Sequence, residues 1–121
     1  MLSVILHSGE WDKIYHGFNI ASLNASLGEE TLVFLTYWAL KNVCKGEKFS
    51  SEGHKEIIEE GRKRGIVKEL EHVIKLGKSF GLKIVACSTS VELLGLKKLP
   101  EWIDEVGGLL NAINADRIIF I

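Results

Sequence analysis

Apolar positions change their period along the chain. Leu2 to Leu6 (LSVIL) is a short run rich in apolar and β-branched residues, closed by Ser8-Gly9. It predicts a buried strand. From about Asp12 to Leu27 the period is helical: Ile14, Phe18, Ala21 and Ala25 share one face, Ile20, Leu23 and Leu27 widen it, and Gly28 marks the stop. Thr31 to Thr36 (TLVFLT) is apolar on both faces and predicts a second strand, with a helical turn over Tyr37 to Val43. The polar stretch Lys45 to His54 then reads as a loop. Glu52 to Arg64 has helical spacing but only Ile57 and Ile58 to bury. Residues 45–64 therefore read as a surface loop-helix excursion and a candidate mobile cover.

Ile66 to Phe80 predicts a better helix, with Val67, Leu70, Ile74 and either Val73 or Gly77 inside. Leu82 to Ala86 predicts the third strand, and Cys87 to Ser90 opens a short helix ending near Gly95. Ile103 to Val106 is expected as a fourth strand, Leu109 to Ala115 as a helix and Arg117 to Ile121 as the last strand. Strands alternating with helices at this spacing predict an α/β fold: one three-layer, doubly wound domain over residues 1–121. About five mostly parallel strands carry helices on both faces. In such folds ligands bind beyond the carboxyl ends of strands. That points to His7 to Glu10, Tyr37 and Trp38, Cys87 to Ser90, and Gly107-Gly108.

Composition narrows the function classes. A single proline and 26% charged residues argue against disorder, and 46% hydrophobic residues suffice for a core. A formal net charge of −1 offers no excess to neutralise a phosphate backbone, so no nucleic-acid partner is expected. No membrane partner is expected either, because no stretch is long and apolar enough to span a bilayer. Leu2 to Leu6 lacks the charged flank of a signal peptide, and two cysteines are too few for a disulfide scaffold. A cytoplasmic protein with reduced thiols is expected.

Cys87 stands where a strand gives way to a helix. The free N–H groups of a helix start favour a thiolate there. Ser88 and Ser90 supply hydroxyls to cap the helix or to face sulfur. Position alone leaves two readings open, an activated nucleophile or an inert buried thiol. Cys44 is either a resolving cysteine for Cys87 or an incidental thiol. His7 ends the first strand, where it would pair with a thiolate or simply satisfy the strand end. Trp38 and Tyr37 would line a pocket or pack in the core. Gly77-Lys78-Ser79 lacks the strand-to-helix setting of a phosphate-binding loop. No histidine and cysteine spacing predicts a metal site, and no cofactor is expected.

The segment Cys87-Ser88-Thr89-Ser90-Val91-Glu92-Leu93-Leu94-Gly95 resembles the signature of the DsrE/DsrF-like sulfur-relay family, nearest its peroxiredoxin-labelled branch. The opening VILHSGEWDKIYHGFNIASLNASLG, the run TLVFLTYWAL and the tail from Val106-Gly107-Gly108 to RIIFI are similar to that family too, so the likeness spans nearly the whole chain. The resemblance implies a cysteine, here Cys87, that accepts sulfane sulfur as a persulfide and passes it to a partner thiol. Ser90 and Glu92 fall at the family's serine and acidic positions. It also implies a sulfurtransferase or carrier role, sulfur donor and acceptor partners, and a homo-oligomer such as a trimer or hexamer. Thr89 and Ala39 depart from the branch's usual Met and Gly. Two other readings remain: a non-catalytic oligomeric binding module of the same fold, and a redox switch using Cys44 and Cys87.

Overall fold

The computed structural model describes residues 1–45 and 53–121. Its centre is a five-stranded sheet, β1 (Leu2–Leu6), β2 (Thr31–Leu35), β3 (Lys83–Cys87), β4 (Glu105–Gly107) and β5 (Arg117–Phe120). The order is β4-β3-β2-β1-β5 and every pair is parallel. Every residue of β1 and β2 is buried, as unbroken apolar runs in the middle of a parallel sheet should be.

The helices are α1 (Trp11–Ser26), α2 (Tyr37–Lys45), α3 (Lys55–Lys63), α4 (Leu70–Ser79), α5 (Ser88–Leu93) and α6 (Leu109–Ile113). They cover the sheet unevenly. On one face α1, α2 and α4 bury Leu6, Phe18, Leu35, Leu40, Ile74 and Ile84. Trp102 closes this core with its ring edge-on to Phe18 at 5.9 Å. The other face carries a smaller cluster, Ile5, Leu32, Phe34, Val85, Cys87 and Ala112. There α6 packs against β1 and β2. Only Ala112 of α6 is buried.

Two clasps set the architecture. Ser22 of α1 donates its hydroxyl to the Val73 carbonyl of α4 at 2.9 Å. Gly77 lets those helices meet, since a β-carbon there would stand 2.4 Å from Ser22 Oγ. At the sheet edge, Asp104 Oδ2 accepts the Ile84 N–H at 2.7 Å, and the Asp104 N–H reaches the Ile84 carbonyl at 2.9 Å. Asp104 also pairs with Lys78.

Several boundaries differ from the sequence expectation. The helical turn after β2 is a full helix through Lys45, a residue assigned to the loop. Residues 46–52 of the expected excursion lie outside the described residues, and α3 starts at Lys55 rather than Glu52. No residue of α3 is buried; Arg62 anchors it, with its guanidinium 4.7 Å from the centre of the Trp11 ring. Helix α4 starts at Leu70, not Ile66, because the Ile66 and Val67 N–H groups both turn back to the Gly61 carbonyl. Val67 therefore packs beside Gly61, and Val73, Ile74 and Gly77 form the buried face. Strand β3 is shifted by one residue, so Cys87 is its last member. Strand β4 begins at Glu105 rather than Ile103, because Asp104 makes the clasp. Helix α6 and strand β5 end earlier than expected, at Ile113 and Phe120.

Candidate functional site

Cys87 occupies two structural roles. It ends β3 and is the N-cap of α5, with φ −64° and ψ 120°. Its side chain belongs to the thinly covered face, and the residue is 8% exposed. In register it lies beside Gly107, which presents no side chain next to it.

The neighbours of sulfur come from two strand ends. Burial pushes the Cys87 thiol up. The Ser90 hydroxyl and N–H, the Thr36 hydroxyl and the Thr89 N–H oppose this and bring it below the ordinary thiol value of 9.0. No strict cap hydrogen bond closes on sulfur. These are loose contacts to a large, soft acceptor, and they act through their dipoles.

Ser90 is the hub of the set. It is fully buried, and its Oγ accepts the Tyr37 N–H at 2.8 Å. The same Oγ lies 3.1 Å from Thr36 Oγ1. Two hydroxyl protons therefore serve two needs. One bridges the two oxygens, and the other is left for sulfur, whichever oxygen supplies it. Tyr37 follows at φ 46°, the one non-glycine residue with positive φ among the described residues. A tyrosine in the left-handed region is strained, and such strain collects where structure over-determines it.

The other predicted residues are placed as follows. Ser88 is exposed, and the groups facing sulfur come from Thr89, Ser90 and Thr36 instead. His7 directly follows β1, which is separated from β3 by β2. Two strand spacings amount to about 10 Å. Its ring packs instead on Tyr37 at 5.1 Å and Phe120 at 5.8 Å. Trp38 is half exposed, with its ring edge toward Tyr37 at 5.9 Å. Cys44 lies near the end of α2 and packs against the core of the opposite face. Burial pushes its thiol up, and both cysteines are free. Glu92 is exposed on α5.

Sequence reasoning missed Thr36. In the sequence it is only the last residue of an apolar run. Its signal was a hydroxyl at a strand end, but only the neighbouring position of β2 and β3 brings it to Cys87.

No protein-family model matches the chain. A relative, the uncharacterized protein YrkE of Bacillus subtilis (strain 168), is 26% identical over 136 aligned positions. The match covers 87% of this chain and 84% of the relative. The crystal structure of the YchN protein from E. coli superimposes with a TM-score of 0.69 at 12% identity, covering 99% of this chain and 97% of that one. A conserved protein of unknown function, BT1422 of Bacteroides thetaiotaomicron, gives a TM-score of 0.61 at 14% identity, covering 99% and 93%. The chain shares the α/β fold of these two proteins. No helix among the described residues is long and apolar enough to cross a membrane.

Proposed function

We propose that this protein is a sulfur-relay protein that carries sulfane sulfur as a persulfide on Cys87. The observation that carries the reading is the convergence of Ser90, Thr36 and two backbone N–H groups on a cysteine at a strand end. The resemblance of the Cys87–Gly95 segment to the DsrE/DsrF-like signature supports the same chemistry.

The transfer needs no external oxidant. Cys87 thiolate attacks a sulfane sulfur of a polysulfide. A bond forms between Sγ and that sulfur, the donor S–S bond breaks, and its electron pair leaves on the shortened donor thiolate. An acceptor thiolate then attacks the outer sulfur, and Cys87 leaves as thiolate. The dipoles that favour the thiolate serve both as it attacks and as it leaves. In this reading the half-exposed Trp38 and the half-buried Tyr37 line the rim of the site. The reading places the protein in a reducing compartment such as the cytoplasm, where a free thiol persists. A switch between Cys44 and Cys87 has less support, since the two thiols pack toward opposite faces of the sheet.

Self-association belongs to the reading. Leu109, Leu110 and Ile113 of α6 and Ile118 and Phe120 of β5 are each between 46% and 73% exposed. Such a patch on the less covered face marks an interaction surface. Strand β5 is a sheet edge, so its outer backbone is free to pair with the same strand of a second copy.

Cyanide releases persulfide sulfur as thiocyanate, which provides the test. Protein loaded with polysulfide and desalted should yield about one thiocyanate per chain, and Cys87→Ser none. Equal yields from both would remove Cys87 from the chemistry.

A further inference from the structure

A concavity by the carboxyl ends of α2 and α5 is lined by Lys41, Cys44, Lys45, Leu94, Leu96 and Lys98. We infer that it is a docking point for an acidic side chain of the partner protein that exchanges sulfur with Cys87. The identity of that partner rests on the function proposed above; the docking point itself does not.

Charge carries the argument first. Three lysines line the concavity, and among the described residues its lining holds no carboxylate. Some basic side chains elsewhere are paired with carboxylates: Lys13 with Glu10, Arg62 with Glu59, Lys78 with Asp104, Lys83 with Glu105 and Arg117 with Glu29. Lys41, Lys45 and Lys98 form no ion pair among the described residues, in a chain whose net charge is −1. The floor is Cys44, Leu94 and Leu96, all partly buried. Burial holds the Cys44 thiol neutral, so it adds no negative charge against an anion.

Size selects the occupant. The cavity measures about 230 Å³. Pockets for free small molecules start near roughly 300 Å³. This one suits one or two side chains of a larger partner.

Position links it to the thiol. From Ser88 at the start of α5 to Leu94 the chain rises about 9 Å. A partner anchored at the lysines thus has its surface one short helix away from Cys87. Lys41 also sits 6.0 Å from the centre of the Trp38 ring, which joins the basic rim to the rim of the thiol site.

The probe is a capped peptide carrying three consecutive glutamates, compared with its glutamine counterpart, on isotope-labelled full-length protein followed by amide chemical shifts. The glutamate peptide should give saturable shifts centred on Lys41, Cys44, Lys45 and Leu94 to Lys98, and the glutamine peptide none. One surface charge pair contributes a factor of roughly 1.4 to 5. Raising salt from about 20 to about 300 mM, or the double variant Lys41→Glu/Lys98→Glu, should therefore weaken binding on the order of tenfold. Cys87→Ser should bind the peptide as wild type does, which separates docking from sulfur chemistry. Absence of saturable shifts at several millimolar peptide, equal binding of the glutamine peptide, or shifts centred elsewhere would each overturn the inference. Tighter binding of inorganic phosphate than of the glutamate peptide would also overturn it, in favour of a small-anion site.

Discussion

Ser90 Oγ accepts the backbone N–H of Tyr37 at 2.8 Å, so a residue from the first turn of α5 fixes the end of β2. This one bond ties the strained Tyr37 to the strand-to-helix junction that carries Cys87. It couples the shape of the site to the ionisation of its thiol, because the same serine also faces sulfur.

Removing the Ser90 hydroxyl should therefore do two things. Ser90→Ala leaves the Tyr37 N–H without its partner and should cost about 1–3 kcal/mol in urea unfolding. It should also raise the Cys87 pKa and so slow alkylation at neutral pH. Ser88→Ala should change neither, since Ser88 is exposed. Equal effects from the two variants would show that the hydroxyl facing sulfur has been misassigned.

Stability should depend on pH through Cys87. Its thiol is held below 9.0 in the folded chain and returns to that value on unfolding. Between the folded and unfolded values the unfolded chain binds the extra proton, so stability rises with pH. The contribution is complete above about 9 and is lost as pH falls through the folded value. Cys44 is shifted the other way, and its contribution is lost as pH rises past 9.0. The comparison of wild type with Cys87→Ala cancels Cys44, which both proteins carry. The stability difference should grow in favour of wild type from pH 6 to pH 9; a flat difference would mean that the thiol is not shifted.

The left-handed backbone at Tyr37 makes its own prediction. Tyr37→Gly relieves about 1–2 kcal/mol of backbone strain, against the lost ring contacts to His7 and Trp38. Tyr37→Val loses the same contacts and keeps the strain on a β-branched residue. The valine variant should unfold at lower urea than the glycine variant. The reverse order would mean that φ 46° is not held in solution.

Charge on the exposed apolar face should break self-association. Wild type should sediment as an oligomer at micromolar concentration, and Ile118→Lys/Phe120→Lys as a monomer with unchanged circular dichroism. Both side chains are largely outside the core, so the fold should survive. Wild type sedimenting as a monomer would contradict the proposed assembly.

The sequence made the alternation of strands and helices legible because the apolar period switches cleanly at Leu2–Leu6, Thr31–Leu35 and Arg117–Phe120. Cys87 and Ser90 were legible for a local reason: a thiol and a hydroxyl flank a predicted strand-to-helix junction. Thr36 was not, because it stands 51 positions before Cys87 and meets it only through the order of strands. The edges were hidden for the same reason. Asp104 fixes the start of β4 by grasping Ile84, a contact with no local pattern. Val67 has helical spacing with Leu70 and Ile74, yet the turn at Gly61 takes its N–H first. His7 directly follows β1, but its distance from Cys87 across β2 is a property of the sheet, which no local pattern announces.

The central claim is tested most directly by intact-protein mass after brief exposure to polysulfide, with wild type, Cys87→Ser and Cys44→Ser side by side. The account predicts a reducible gain of one or more sulfur atoms in wild type and Cys44→Ser, and none in Cys87→Ser. A gain that survives Cys87→Ser, or no gain in any of the three, would contradict it.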